Sequence, residues 1–216
     1  MRQICWISLA FVLSAWTLPA MAEEAADTQG AVAVVEQLTN HVLKVLRANE
    51  GKPITPAIKK KVADIVLPHM DFTTMSQYVM AQYWRQMDPA QQKEFVVLFK
   101  DLLVRTYSNS LNHYHGQTVK ITGSQRISQN PPVAQVNMVI RQNGGNPEIP
   151  VIYALLYTNN SWRIYNTYID GVSMVLNYRQ SFGQIAASRG IPALLQDMRA
   201  KDGEHAAPPG KTAAAA

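Results

Sequence analysis

Two histidines and one aspartate are the best candidates in this sequence for side chains that could act in acid–base catalysis or bind a metal. His113 and His115 stand two positions apart at the end of a long helical pattern, and Asp170 precedes Gly171. Imidazole and carboxylate groups act as general acids and bases, and histidine also binds metals. Residues two apart on a helix point in different directions, so the histidines do not face one site there. Helix capping explains the histidines equally well, and a turn explains Asp170.

No further catalytic pattern accompanies these residues. The sequence has no G-x-S-x-G, no H-E-x-x-H, no phosphate-binding glycine loop and no cluster with metal-ligand spacing. Arg179 is expected to pair with a carboxylate or, as the alternative, to meet an anionic ligand. We therefore expect no catalytic residue, no metal site, no cofactor and no enzymatic activity. The alternative left open is an enzyme that uses His113, His115 or Asp170 on an apolar substrate.

Two apolar strands joined by a Thr-Asn-Asn-Ser turn lie directly before Asp170. These strands must supply much of the structure that positions it. In the first strand, residues 149–157, apolar side chains occupy both parities. One face carries Ile149, Val151, Tyr153, Leu155 and Tyr157, and the other carries Ile152, Ala154 and Leu156. A run that is apolar on both faces predicts a strand that is covered on both sides.

Helical periodicity precedes these strands. An amphipathic pattern covers residues 31–48, Thr55 is expected to begin a second helix, and Asp71 is expected to cap a third. The sequence Asp88-Pro-Ala-Gln is close to a capping box. It opens the longest predicted helix, which we expect to run to about Tyr114.

The remaining pattern completes an antiparallel sheet. Strands are predicted over residues 117–128 and 133–142, and an Asn-Gly-Gly-Asn turn at 143–146 leads into the central strand pair. After that pair, Ser173 is expected to cap a helix that Gly190 ends. Helices, then four strands, then helices predict an α+β fold, with an antiparallel four-stranded sheet and helices packed on it.

The first 22 residues have the pattern of a secretory signal peptide. Arg2 is basic, Ile4–Trp16 are apolar, and Ala20-Met-Ala fits a cleavage site. The apolar run of about 13 residues is shorter than the ~20 that span a bilayer. We therefore expect residues 1–22 to be removed on export and the mature protein to lie in the periplasm.

The composition of the chain is that of a globular protein, since 47% of its 216 residues are hydrophobic and 16% are charged. Residues 23–201 are expected to form a single domain, and residues 202–216 have too little apolar mass to order themselves. The one cysteine, Cys5, lies in the signal segment, which excludes disulfides and thiolate metal sites from the mature chain. The net charge of +5 is far below that of a nucleic-acid-binding protein.

Several short motifs occur together in the order found in one known family. They are Tyr83-Trp84-Arg85, the helix from Phe95 to Tyr107, Tyr114-His115-Gly116-Gln117-Thr118, Trp162-Arg163-Ile164-Tyr165, Asp170-Gly171-Val172-Ser173-Met174, and Asn177-Tyr178-Arg179 with Phe182. The ordered set resembles the toluene-tolerance family, the MlaC-type phospholipid-binding proteins of the Mla lipid transport system, over about residues 30–200. Asn166 stands where an acid is often found in that family, and Asp170 stands where glutamate is common.

The resemblance implies an NTF2-like cone with a deep apolar pocket. It implies a monomeric carrier that binds a diacyl phospholipid by its tails, as cargo rather than as a cofactor. It further implies passage of lipid between an outer-membrane lipoprotein–porin complex and an inner-membrane ABC transporter complex, which maintains outer-membrane lipid asymmetry. A sister branch associated with hopanoid biosynthesis leaves a hopanoid-related lipid as an alternative cargo.

Within that fold, we expect the lipid-binding pocket between the longest helix and the sheet. The predicted wall combines one stripe of the helix with strand positions of one parity. It comprises Phe99, Leu103, Tyr107, Leu111, Val136, Met138, Ile140, Val151, Tyr153, Leu155 and Trp162. Lys59–Lys61 belong to another helix and are expected to form a solvated face, with attraction to an anionic membrane or partner as the alternative. No single basic residue is therefore expected to be essential for holding a lipid headgroup.

Overall fold

A computed structural model of the chain describes residues 20–142, 144 and 146–201. The helices within these ranges are α1 (Ala20–Arg47), α2 (Pro56–Val66), α3 (Phe72–Met80), α4 (Pro89–Ser108) and α5 (Met174–Lys201). The strands are β1 (Thr118–Gln129), β2 (Pro132–Arg141), β3 (Ile149–Thr158), β4 (Ser161–Ile169) and β5 (Val172–Ser173). Most of the predicted signal peptide and the predicted disordered tail lie outside the described residues.

The strands form one antiparallel sheet in the order β1-β2-β3-β4-β5, each paired with its neighbour in sequence. The α+β fold is thus confirmed, with five strands in place of the four expected. The additional strand, β5, has two residues, which is too short for an alternating pattern to show in the sequence. It pairs with β4 because Asp170 and Gly171, at φ 49° and 76°, reverse the chain at once.

Side-chain caps begin three helices where the sequence predicts them. Thr55 Oγ1 accepts from the Ile58 amide at 3.4 Å, and Asp71 Oδ1 accepts from the Thr74 amide at 2.9 Å. Asp88 Oδ1 accepts from the backbone of Gln91 at 2.9 Å, while the Gln91 side chain accepts from the Asp88 amide at 3.1 Å. These bonds satisfy amides that the first helical turn leaves without partners.

Two helix boundaries differ from those expected. Helix α1 begins at Ala20 rather than at residue 31, because the polar segment before residue 31 is rich in Ala, Glu and Gln, which favour helix. Helix α4 ends at Ser108, and a 3₁₀ turn over Asn109–His113 replaces the expected last turns. With 20 residues, α4 is roughly 30 Å long.

Helix α5 consists of two helical segments that meet at Gly190, the residue at which the sequence predicts that the first segment ends. Gly190 has a φ of 83°, outside the helical range. Two hydrogen bonds, of 2.8 and 2.9 Å, join the Arg189 guanidinium to the Asp197 carboxylate across this break. The second segment is tied to α4 by a bidentate contact between Arg199 and Glu94, which holds the pKa of the Glu94 carboxyl below its usual value.

The buried apolar residues form separate clusters. The sheet cluster joins α1 to the inner face of the sheet, with Val35 and Leu155 both fully buried. The helix cluster joins α3, α4 and α5 around Phe95 and Phe99. A third, small cluster of Val45, Leu46 and Val62 attaches α2 to α1.

Both faces of β3 are covered in part, and the sequence predicts cover on both. Val151 and Leu155 are buried on the inner face. Of the opposite parity, Ala154 is buried, Ile152 and Leu156 are half-buried and Pro150 is exposed. Both faces of this strand therefore carry buried side chains, and on neither face does the cover extend along the whole strand.

Candidate functional site

A cavity of about 590 Å³ lies among the sheet, α1, α2 and α4, within the range of ~300–1,000 Å³ that ligand sites occupy. Its lining is largely aliphatic. The contributions of the helices include Leu38, Val42, Val62, Val66, Leu103 and Tyr107, and those of the sheet include Val119, Met138, Ile140, Ile149, Tyr153 and Ile164. Such a surface binds apolar material by excluding water from both partners.

The residues predicted for the pocket wall divide into two groups. The six that line the cavity are Leu103, Tyr107, Leu111, Met138, Ile140 and Tyr153. The five that lie outside its lining are Phe99, Val136, Val151, Leu155 and Trp162. Phe99 belongs to the helix cluster, and the other four belong to the sheet cluster under α1.

The wall supplied by α1, α2 and the segment after α2 is missing from the sequence-based prediction. Leu38 and Val42 come from α1, Val62 and Val66 from α2, and Met70 from the following segment. Their sequence signal is an amphipathic stripe on each helix. A stripe shows which face is buried, but it does not distinguish packing against side chains from lining a cavity.

Polar side chains line the cavity where it approaches the surface. Ser110 and His113 are exposed, while Lys59, Gln117 and Gln142 are half-buried. We call these five the mouth residues. Pairing of Thr118 with Arg141 in the sheet brings the neighbouring Gln117 and Gln142 to the same end.

Lys59 lines the cavity, although all three residues of Lys59–Lys61 were expected to face solvent away from the pocket. Its Nζ donates to Asn109 Oδ1 at 2.9 Å. Lys60, by contrast, is exposed and contacts Asp64 at 2.7 Å. The expectation fails for Lys59 because the 3₁₀ turn after α4 lies next to the first turns of α2, a contact between segments 50 residues apart.

The three residues first considered for chemistry are not brought together. Asp170 is exposed in the turn before β5, and its amide donates to the Pro150 carbonyl at 2.9 Å. The His115 amide donates to Gln117 Oε1 at 2.7 Å, and Gln117 Nε2 donates to the His113 carbonyl at 3.0 Å. His113 alone of the three lines the cavity.

Acidic groups are missing from the cavity lining, as far as the described residues extend. A general acid–base pair of carboxylates therefore has no place in its wall. Over the same ranges, no group of three or more His, Cys, Asp or Glu side chains stands close enough to hold a metal ion. The lining residue that carries a fixed charge is Lys59.

Two tyrosines supply phenol groups to the cavity wall. Burial raises the pKa of Tyr107 to about 12, with a smaller contribution from Tyr178. Burial also raises the pKa of Tyr153. Both phenols stay neutral at physiological pH, so neither adds charge to the apolar wall.

A buried hydrogen-bond network holds β4 against the start of α5. Asn166 Oδ1 accepts from the amides of Thr167 at 2.9 Å and Val175 at 3.2 Å. Asn166 Nδ2 donates to Ser173 Oγ at 2.9 Å, and this oxygen also accepts from the Leu176 amide at 3.2 Å, which caps α5 as the sequence predicts. The side-chain amide of Asn166 thus both accepts from backbone amides and donates to Ser173, whereas an ionised carboxylate can only accept.

The helices of the described ranges include none that is both long enough and apolar enough to cross a membrane.

Comparison with known proteins identifies the family of this chain. The family described as MlaC protein matches residues 36–200. The chain belongs to the MlaC family. Within this family, the chain is 24% identical over 195 residues to the intermembrane phospholipid transport system binding protein MlaC of Haemophilus influenzae, an alignment that covers 88% of this chain and 89% of the relative.

A solved structure has the same fold as this MlaC-family chain. It is the phospholipid-binding protein from Ralstonia solanacearum, determined in complex with a phospholipid. The TM-score is 0.68 at 25% sequence identity, and the match covers 79% of this chain and 95% of the other. The resemblance noted from the short motifs is thereby confirmed.

Proposed function

We propose that this MlaC-family protein is a periplasmic phospholipid carrier, which holds the acyl tails of a diacyl lipid in the cavity between the sheet and α1, α2 and α4. The observation that carries the proposal is the lining: about 590 Å³ of space bounded mainly by aliphatic side chains and free of acidic groups over the described residues. The phospholipid bound by the Ralstonia relative supports the same class of cargo.

The physical basis of the carrier is the hydrophobic effect. Burial of each methylene contributes ~0.8 kcal/mol, so two tails of ~15 methylenes supply ~24 kcal/mol before ordering and cavity costs are subtracted. The mouth residues lie where the chain can meet a headgroup that stays near water. Binding of this strength also means that release requires a partner that opens or replaces the cavity.

The route of the lipid is proposed from family membership. We propose that the protein, as a monomer, carries phospholipid between an outer-membrane lipoprotein–porin complex and an inner-membrane ABC transporter complex, and so maintains outer-membrane lipid asymmetry. The secretory pattern of the first 22 residues supports a periplasmic location. The relative from Haemophilus influenzae is named as a component of an intermembrane phospholipid transport system.

The lining also bears on the two alternatives. An enzyme acting on an apolar substrate would have to use His113 without a carboxylate in the described cavity wall, which favours the carrier. A hopanoid-related lipid is also apolar and fits the same lining chemistry. The choice between the two lipid classes therefore requires identification of the cargo.

Native mass spectrometry of the exported protein, purified without detergent, tests the proposal. We expect a mass increase equal to one phospholipid, and extraction followed by tandem mass spectrometry should return diacyl glycerophospholipids. Incubation with lipid-labelled vesicles should reload protein from which lipid was removed. Protein that arrives free of lipid and takes up none contradicts the carrier function, and a hopanoid in the extract supports the alternative cargo.

A further inference from the structure

Lys59 stands apart from the other lining residues because it brings a fixed positive charge to an otherwise uncharged wall. The residue is half-buried and lines the cavity beside Val62 and Ala63 of the same helix. Lysine side chains commonly lay their methylenes along apolar surface and keep the ammonium at the boundary with water. The position of Lys59 at the mouth matches that behaviour.

The ammonium of Lys59 is held by a neutral group rather than by an acid. Its Nζ donates to Asn109 Oδ1 at 2.9 Å, and no carboxylate of the described residues lies within salt-bridge distance of it. An ammonium has three donors, of which Asn109 uses one. The amide nitrogen of Asn109 offers further donors at the same place.

We propose that Lys59 and Asn109 form a binding site for the phosphodiester of the bound lipid, an inference that rests on the proposed carrier function. The tails occupy the aliphatic cavity, and the anionic phosphate lies at the mouth against the Lys59 ammonium. Phosphate oxygens accept from this ammonium, while Asn109 keeps it at the mouth. Because no carboxylate in the lining competes for the ammonium, its charge is available to the ligand. The site therefore favours lipids that carry a phosphodiester over diacyl lipids that have the same tails and no phosphate.

Two lipids with identical tails separate the phosphate contact from the tail contacts. Lipid-free protein is offered equimolar dioleoylphosphatidylethanolamine and dioleoylglycerol, and the bound ratio is measured by mass spectrometry. For Lys59→Gln, we expect the preference for the phospholipid to fall about five- to tenfold, the range between an exposed ion pair and a charged hydrogen bond. Uptake of dioleoylglycerol should stay the same.

Two matched variants control for charge and for folding. Lys59→Arg keeps the positive charge and should keep most of the preference. Lys61→Gln removes a charge from an exposed position of the same helix and should leave the ratio unchanged. An unchanged ratio in Lys59→Gln, equal loss of both lipids, or an equal effect of Lys61→Gln would overturn the headgroup site.

A last measurement separates the headgroup from free phosphate and from failure of the carrier function. Lipid-free wild-type and Lys59→Gln proteins are titrated with inorganic phosphate by calorimetry. Wild type that takes up neither lipid contradicts the carrier function itself. If Lys59-dependent phosphate binding persists in that case, the site binds free phosphate and its assignment to a lipid headgroup is wrong. Uptake of both lipids with no dependence on Lys59 leaves the carrier intact and overturns only this inference.

Discussion

Gly30 of α1 lies directly against the indole of Trp162 in β4. A β-carbon at position 30 would stand 2.8 Å from the indole Nε1 and 2.9 Å from Cδ1, closer than real β-carbons approach other atoms. A glycine inside a helix costs about 1 kcal/mol relative to alanine, and here it permits α1 to approach the sheet. Trp162, which the sequence assigns to the pocket wall, instead fixes α1 on the sheet beside the cavity.

The contact predicts the effect of adding one methyl group. Gly30→Ala should lower the free energy of unfolding by about 1–3 kcal/mol, because the indole or the helix must move. Gly183→Ala is the matched control: Gly183 also lies in a helix, but its added β-carbon would meet Tyr83 at an ordinary 3.9 Å. That variant should be neutral or slightly stabilising. Urea unfolding of the two proteins checks the prediction, and equal changes in both would contradict it.

A charged side chain in the cavity should reduce lipid binding. Tyr153→Glu places a carboxylate in the lining, where burial of the charge costs several kcal/mol unless it protonates. The expected result is at least a tenfold lower lipid yield from folded protein, measured by extraction. Tyr157→Glu, at an exposed position of the same strand, should keep the wild-type yield. Wild-type lipid content in Tyr153→Glu would count against this cavity as the binding site.

Phe99 tests the boundary between cavity and core. This ring contacts Phe95, Tyr178 and Phe182 in the helix cluster and does not line the cavity. Phe99→Leu should therefore lower the free energy of unfolding by about 1–2 kcal/mol, with lipid bound per folded molecule unchanged. Thermal unfolding and lipid extraction on the same sample check both parts. A loss of lipid without a loss of stability would place Phe99 in the binding site, as the sequence predicts.

The network around Asn166 predicts a large effect of replacing its side chain by an apolar one with the same branching. Asn166→Leu removes the partners of the Thr167 and Val175 amides in a buried place. Unsatisfied buried donors should lower the free energy of unfolding by roughly 2–3 kcal/mol. Gln125→Ala breaks an exposed amide–amide bond to Gln135 and should cost less than about 1 kcal/mol. Denaturant unfolding distinguishes the two, and a small effect at Asn166 would show that the network contributes little.

The raised pKa of Tyr107 predicts that the folded protein loses stability at high pH. Its pKa is about 12 in the folded protein and ~10 in an unfolded chain, so the unfolded state releases the proton first. Stability is therefore complete below pH ~10 and falls as the pH rises towards 12. Tyr107→Phe should weaken this decline, as measured by denaturant unfolding at several alkaline pH values. An unchanged decline would show that other tyrosines with raised pKa values, such as Tyr178, account for it.

Local sequence signals predict the elements of this fold well. The caps at Asp71 and Asp88 and the break at Gly190 are each visible in a few adjacent residues, because they satisfy backbone groups locally. The start of α1 is not visible, since favourable helix formers before residue 31 carry no periodic apolar stripe. The two-residue strand β5 depends on pairing with β4 rather than on its own sequence.

The cavity is predictable only in part, because its wall depends on contacts between distant elements. The apolar stripe of α4 and the parity of the strands point to Leu103 and Tyr153, and both line the cavity. They do not show that α1 covers Val136 and Leu155, which turns those positions into solid core. The position of Lys59 likewise depends on a turn 50 residues away. Periodicity reports burial, whereas the location of empty space follows from the tertiary arrangement.

Because the cavity leaves part of the interior unfilled, the lifetime of this protein in the cell should depend on its supply of lipid. Side chains that face empty space lack the dispersion contacts that a solid core provides, and bound tails would restore them. A ligand present at a concentration a hundred times its dissociation constant stabilises the folded state by about 2.7 kcal/mol. Proteases that act on transiently opened chains therefore remove empty molecules faster than loaded ones. We expect the abundance of the protein in the cell to follow the flow of lipid through it.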